Sequence, residues 1–234
     1  MNELSLLKPS QIGTLRESSL HATLKQWYKE PGDKLEEPFE NYIIDIVRDD
    51  LLIEIQTKNF SSIKKKLENL IPHNRVLLVH PIIKDKWIIS QNLLDFNRIR
   101  KRLSPKHCSF VDIFEELIRI PYLISNSNLI IEVLLVQIEE IRINDGRGSW
   151  RRNGWSIYDK KLVGILGKKE FCNPKDFLML IPTSLETPFT NSDLAYSLKK
   201  PIRLARKMSY CLRKMELIGI IGKKGKEFLF DLLI

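Results

Sequence analysis

The sequence predicts an α/β fold built on a mixed sheet, and three stretches predict it. "YIIDIVRDDLLIEIQT" (Tyr42 to Thr57) places two Ile- and Val-rich runs on either side of a polar break, the pattern of a β-hairpin. "SSIKKKLENL" (Ser61 to Leu70) carries Ile63, Leu67 and Leu70 at helical spacing. "RVLLVHPI", from Arg75, is a continuous apolar run typical of a strand buried on both faces. A strand, a helix and a buried strand in succession make a right-handed crossover unit, so antiparallel and parallel pairs share one sheet.

Taken in order, the first element is a helix over about Leu15 to Tyr28. Leu20, Leu24 and Trp27 form its core stripe, and Glu17, His21 and Lys25 recur at i, i+4 on another face. His21 reads first as a surface or satisfied core histidine, and Lys25 as a solvated residue or a phosphate contact. Pro31-Gly32-Asp33 ends the helix as a turn. In the hairpin that follows, Asp49 and Asp50 form the loop. Arg48 then pairs with Leu51, Val47 with Leu52, Ile46 with Ile53, and Asp45 with Glu54. One face carries Tyr42, Ile44, Ile46, Leu51, Ile53 and Ile55; the other carries Asp45, Glu54, Gln56 and Lys58. Two carboxylates opposed across a strand pair repel, and a hard divalent cation would relieve them. An exposed sheet face with ordinary charges is the alternative.

This order, with an acid in the first helix, Asp on one strand and Glu-x-Gln on the next, resembles the PD-(D/E)XK nuclease superfamily over roughly residues 10–90. The resemblance implies a restriction-endonuclease-like core, with Asp45 and Glu54 as ligands of Mg²⁺ or Mn²⁺. The family's final Lys is replaced by Gln56, and Lys58 follows two residues later on the same expected face. Glu17 matches the acid that the family often adds from its first helix.

Net charge locates a second function. The chain is +9, and Lys199 to Lys226 holds ten Lys or Arg residues against one acid, Glu216. So concentrated a basic surface points to a polyanion, most simply DNA. No apolar run approaches the ~20 residues of a membrane span, and "MNELSLLKPS" lacks the pattern of a signal peptide. Cys108, Cys172 and Cys211 are widely spaced and give neither a disulfide framework nor a zinc site, which fits a reducing cytoplasm.

Within residues 91–172, "RIRKRLSPKH" (Arg98 to His107) reads as a basic linker and "SFVDIFEELIRIPYLI" as an amphipathic helix from Ser109 to near Pro121. "NLIIEVLLVQIEEIRI" and "WSIYDKKLVGIL" read as a hairpin joined by "NDGRGSWRRNG". Trp150 and Trp155 flank Arg151 and Arg152 there, which suits either a phosphate-and-stacking surface or a local lid. Beyond it come a short helix at Asn173-Pro174, a capped helix in "TNSDLAYSLKK", and the helix "PIRLARKMSYCLRKMELI". Two strands around Gly-Lys-Lys-Gly-Lys close the chain. The third helix buries Ala205, Met208, Leu212 and Met215, and presents Arg203, Arg206, Lys207, Tyr210, Arg213 and Lys214 outward.

Residues 173–234 resemble a winged helix-turn-helix domain, which implies a helix in the major groove and phosphate contacts from Lys223 and Lys224. The expected organisation is therefore a nuclease-like core at 1–90, a helix-plus-hairpin region at 91–172 and a winged helix at 173–234. The expected function is a metal-dependent DNA endonuclease, with homodimerisation left open. The alternatives are a non-catalytic DNA-binding regulator and a protein-interaction adaptor.

Overall fold

A computed structural model describes residues 18–92 and 95–233. Glu17 lies outside the described residues. The chain begins with α1 (Ser19–Tyr28), capped by the Ser18 side chain accepting the His21 N–H. Three strands follow: β1 (Lys34–Phe39), β2 (Tyr42–Arg48) and β3 (Leu51–Ile55). Then come α2 (Lys64–Leu70), β4 (Arg75–Asn92) and β5 (Asp95–Leu103). A 3₁₀ turn at Phe110–Ile113 leads into the single-turn α3 (Phe114–Leu117). The long strands β6 (Leu129–Asn144) and β7 (Trp155–Phe171) precede α4 (Asn191–Leu198), α5 (Ile202–Lys214), β8 (Ile218–Lys224) and β9 (Glu227–Leu232).

The fold is α/β with a mixed, seven-stranded sheet ordered β1-β2-β3-β4-β6-β7, and β5 pairs with the far half of β4. β3 and β4 are parallel, as are β4 and β6; the other pairs are antiparallel. Both faces are covered. Leu20, Leu24 and Tyr28 of α1 pack on Ile46, Ile53, Ile55, Val79, Leu134, Val136 and Ile138. On the other face Leu52, Leu78, Val133 and Leu135 meet α2, α3 and the C-terminal helices. Burial on both sides is why residues 76–79 of β4 and 133–136 of β6 read as unbroken apolar runs.

The α1 stripe is Leu20, Leu24 and Tyr28, not the expected Leu20, Leu24 and Trp27. Trp27 is 53% exposed, while Lys25 is buried. Extending the stripe by i, i+4 from Leu24 reaches Tyr28, and the sheet beneath accepts that face. The expected linker at Arg98 to His107 is largely the strand β5, which pairs antiparallel with the outer half of β4.

The expected domain boundaries do not separate cores. The division at residue 90 falls inside β4, and β6 of the middle region pairs with β4 along most of its length. On the C-terminal side, Phe189, Leu194, Leu204, Met208 and Phe230 belong to the same apolar cluster as Leu52 and Leu78. Within that part, Thr190 caps α4 in a reciprocal pair with Asp193, and α5 buries Ala205, Met208 and Leu212. A single bridge from Phe189 to Phe230 ties the β8–β9 hairpin to the segment before α4.

Candidate functional site

The β2–β3 hairpin has the expected turn and register, with Asp49 at φ +48 and Ile46, Val47 and Arg48 opposite Ile53, Leu52 and Leu51. The ladder stops there. Asp45 and Glu54 are not a paired rung, which corrects the simple cross-strand reading. On the other side, β1 pairs Leu35 with Ile46 and Glu37 with Ile44, while Glu36, opposite Asp45, takes φ +50. β2 is therefore irregular at Asp45 on both sides. Alternation would put Asp45 beside Val47, over α2. It turns instead toward α1, and Ile44 joins the core on the α2 face.

In place of the missing rung, each carboxylate binds the facing strand's backbone. Asp45 Oδ2 accepts the Ile55 N–H at 2.8 Å, and Glu54 Oε1 accepts the Asp45 N–H at 3.3 Å. The two acids thus fill the gap where β2 and β3 separate. Each also meets a helix, but on opposite faces of the sheet, which corrects the expectation that Asp45 and Glu54 share one face. His21 Nε2 of α1 lies 3.2 Å from Asp45 Oδ2, and Lys66 Nζ of α2 donates to Glu54 Oε1 and, at 2.6 Å, to the Ile43 carbonyl.

Their charges differ. Burial opposes the Asp45 carboxylate, but the hydrogen bonds from His21 and the Ile55 N–H hold its pKa below the ordinary value. Glu54 is 6% exposed; burial pushes its pKa up, Lys66 pulls it down, and the nearby Asp45 charge raises it further. The result is one firmly ionised carboxylate beside one that holds a proton more readily.

The remaining expected residues fall at varied distances from this pair. The Gln56 amide donates to the Asn59 carbonyl at 2.8 Å and to Ser62 Oγ at 2.7 Å, pinning the loop after β3. The Gln56 carbonyl meets buried His80 Nδ1 at 2.6 Å. Lys58 does not continue the strand face as expected, because β3 ends at Ile55; it is exposed in a bend. Lys66 and His21 are the neighbours that the strand pattern did not identify. Helical spacing does carry a signal for Lys66, which lies three residues after the inward Ile63.

The proposed DNA-contacting residues also divide. Arg206, Tyr210, Arg213 and Lys214 are exposed on α5, and Lys223 and Lys224 on β8. Arg203 and Lys207 are not simply outward cations. Arg203 Nη2 lies 3.2 Å from Glu115 Oε1, and Lys207 Nζ pairs with Glu115 Oε2. Arg151 lies 5.4 Å from the ring centre of Trp150, itself 82% exposed, and Arg152 Nε donates to the Trp155 carbonyl at 3.1 Å.

Fold and site together define an α/β protein with two inward carboxylates at a strand divergence and a basic helical C-terminal part. Residues 18–172 match the family described as Domain of unknown function (DUF8091), and the chain belongs to that family. An uncharacterized protein of Treponema pallidum (strain Nichols) is similar, 30% identical over 185 residues that cover 79% of this chain and 73% of the relative. No solved structure matches significantly.

Proposed function

We propose that the protein is a metal-dependent nuclease that hydrolyses phosphodiester bonds in DNA, with residues 173–234 acting as a winged helix that binds the duplex. The observation that carries the reading is that Asp45 and Glu54 each reach across the gap between β2 and β3 to the facing backbone, at 2.8 and 3.3 Å, on a sheet reached through a helix, a hairpin and a crossover. Among the described residues no three His, Cys, Asp or Glu side chains gather as a metal site. Two carboxylates still suit Mg²⁺, which keeps several waters and binds through one or two carboxylates and substrate phosphates. Asp45 Oδ1 and Glu54 Oε2 take no hydrogen bond among the described residues, so the donor set fits. When bound there, the ion would polarise the scissile phosphate and lower the pKa of an attacking water.

The chain's own residues have separate roles in this reading. Asp45 and Glu54 hold the ion, and the Ile55 and Asp45 N–H groups fix their orientation. Lys66 offsets the charge of Glu54 and sets a cation beside the developing negative charge. Gln56 holds the loop after β3. Incubating labelled duplex, single-stranded and branched DNA with Mg²⁺, Mn²⁺ or a chelator tests the proposal. Cleavage should require metal and vanish in Asp45→Asn. Equal cleavage by that variant, or none on any DNA, rejects it.

A second reading, a non-catalytic DNA-binding regulator on the same scaffold, is favoured by one observation. Gln56 stands where the PD-(D/E)XK superfamily has Lys, and its amide nitrogen is committed to Asn59 and Ser62. Metal-independent DNA binding without cleavage would select it.

A further inference from the structure

A second charged cluster lies on the α1 face of the sheet. Glu140 of β6 is 2% exposed, and both its oxygens are occupied. Oε2 accepts from Lys86 Nζ at 2.8 Å, and Oε1 from Arg142 Nε at 2.8 Å and Nη2 at 2.5 Å. Directly across the β6–β7 ladder from Glu140 stands Lys160, so their side chains leave the sheet on one face. Lys160 is partly buried and makes no salt bridge among the described residues. Burial lowers its pKa; Glu140 opposes that, while Lys86 and Lys58 add to it. Three cations thus surround one carboxylate, and two of them already hold both its oxygens. A surplus desolvated cation is costly, and an apolar residue at the same place would stabilise the fold better.

The cluster is linked to the carboxylate site through α1. Asp159, next to Lys160, accepts from Ser19 N at 3.1 Å and Ser19 Oγ at 2.5 Å, fastening the start of α1. Two residues on, His21 meets Asp45.

We infer that Lys160, together with Lys86 and Arg142, forms an anion subsite that takes a phosphoryl group, filled by a backbone phosphate flanking the scissile one. Its identity as a polynucleotide phosphate rests on the nuclease reading; the demand for an anion does not. Lys160 is a positioning residue and takes no part in bond cleavage.

The test compares wild type, Lys160→Gln and Lys160→Arg in metal-free buffer with a fluorescent DNA duplex across salt concentrations, with pyrophosphate as a separate probe in thermal unfolding. Lys160→Gln should weaken duplex binding several-fold and reduce the log-affinity against log-salt slope by about 0.9, the loss of one phosphate contact. Lys160→Arg should restore both. Without ligand, Lys160→Gln should unfold at a higher temperature than wild type, because a surplus, partly desolvated charge has gone. Unchanged duplex affinity and slope in Lys160→Gln overturns the subsite, and so does a fall in its unfolding temperature with binding intact. Stabilisation by pyrophosphate that needs Lys160, without duplex binding, overturns the polynucleotide assignment. Lys160-dependent duplex binding by a protein that cleaves nothing with Mg²⁺ supports the subsite while rejecting the nuclease.

Discussion

The Asp45 carboxylate accepts the Ile55 backbone N–H at 2.8 Å, at the point where β2 stops pairing with β3. A side chain there does what the next rung of backbone would have done. The acid is therefore fixed in place before any ligand arrives, and a preorganised carboxylate loses little freedom when it binds a cation. Asp45→Asn keeps an acceptor for Ile55 but loses the charge, and Glu54→Gln does the same for its partner. Loss of a supporting ligand contact commonly costs 10–100-fold, so loss of a direct ligand should lower metal-dependent cleavage by about 100-fold or more. Circular dichroism and duplex affinity should change little. Retained cleavage in both variants would dismiss these residues as ligands.

Lys66 makes the opposite kind of test, because it touches Glu54 without being placed as a metal ligand. Its ammonium is the cation that offsets a carboxylate buried to 6% exposure. Lys66→Met leaves Glu54 buried and unpaired, and breaking such a pair costs about 3 kcal/mol. Adding Glu54→Gln should return part of that loss, because the amide carries no charge to desolvate. Urea unfolding of the two single variants and the double variant gives the coupling directly. Additive losses would mean that the ion pair contributes nothing to the fold.

Much of this region is legible in the sequence. The Asp49-Asp50 turn, the register at Ile46–Ile53, the crossover through α2 and the buried strand β4 all follow from local spacing. What spacing could not supply is the break at Asp45. Period-two alternation assumes a regular strand, whereas Glu36 in the left-handed region and the missing rung at Glu54 rotate β2 there. The strand β5 was hidden for a related reason: "RIRKRL" has the charge of a linker, and only pairing with β4 makes it a strand. Counting charges along the chain failed similarly on α5. Its excess looked unopposed because the acid that meets it, Glu115, lies some ninety residues earlier, as does Asp112, the partner of Lys200 just before the helix.

His80 gives a pH-dependent prediction. Burial pushes its pKa from 6.5 down to about 4, although the Gln56 carbonyl favours the protonated form. The unfolded chain therefore binds more protons than the folded one between about pH 6.5 and 4. Stability from this residue is complete above the higher value and is lost as pH falls toward the lower, by about 3 kcal/mol in all. His80→Asn can donate to the same carbonyl but cannot titrate. The gap in unfolding free energy between wild type and His80→Asn should shift against wild type by that amount as pH falls from 7 to 4. A gap independent of pH would mean that His80 is not held neutral.

The last prediction concerns Glu115. It ties down Arg203 and Lys207, and so removes them from the freely available positive surface of α5. The Glu115 pKa is held below its ordinary value: burial works against the charge, but Lys207 and Arg203 outweigh it. The carboxylate is thus ionised at neutral pH and competes with any phosphate for both cations. If α5 meets a duplex, Glu115→Gln should release that hold and tighten binding. The slope of log affinity against log salt should steepen by up to about 0.9 for each cation that gains a phosphate. Replacing Arg206 and Arg213 with Ala should act oppositely, weakening binding and flattening the slope, because both are exposed without a salt bridge among the described residues. The Glu115 pairs also join α5 to α3, so Glu115→Gln is expected to cost some stability, about 1 kcal/mol for so exposed a pair. Duplex titrations across salt concentrations, at a temperature where all variants are folded, separate the effects. Tighter binding by Glu115→Gln together with weaker binding by Arg206→Ala/Arg213→Ala identifies α5 as the DNA-facing helix. If neither variant changes affinity or slope, α5 does not touch the duplex, and its basic face meets another partner.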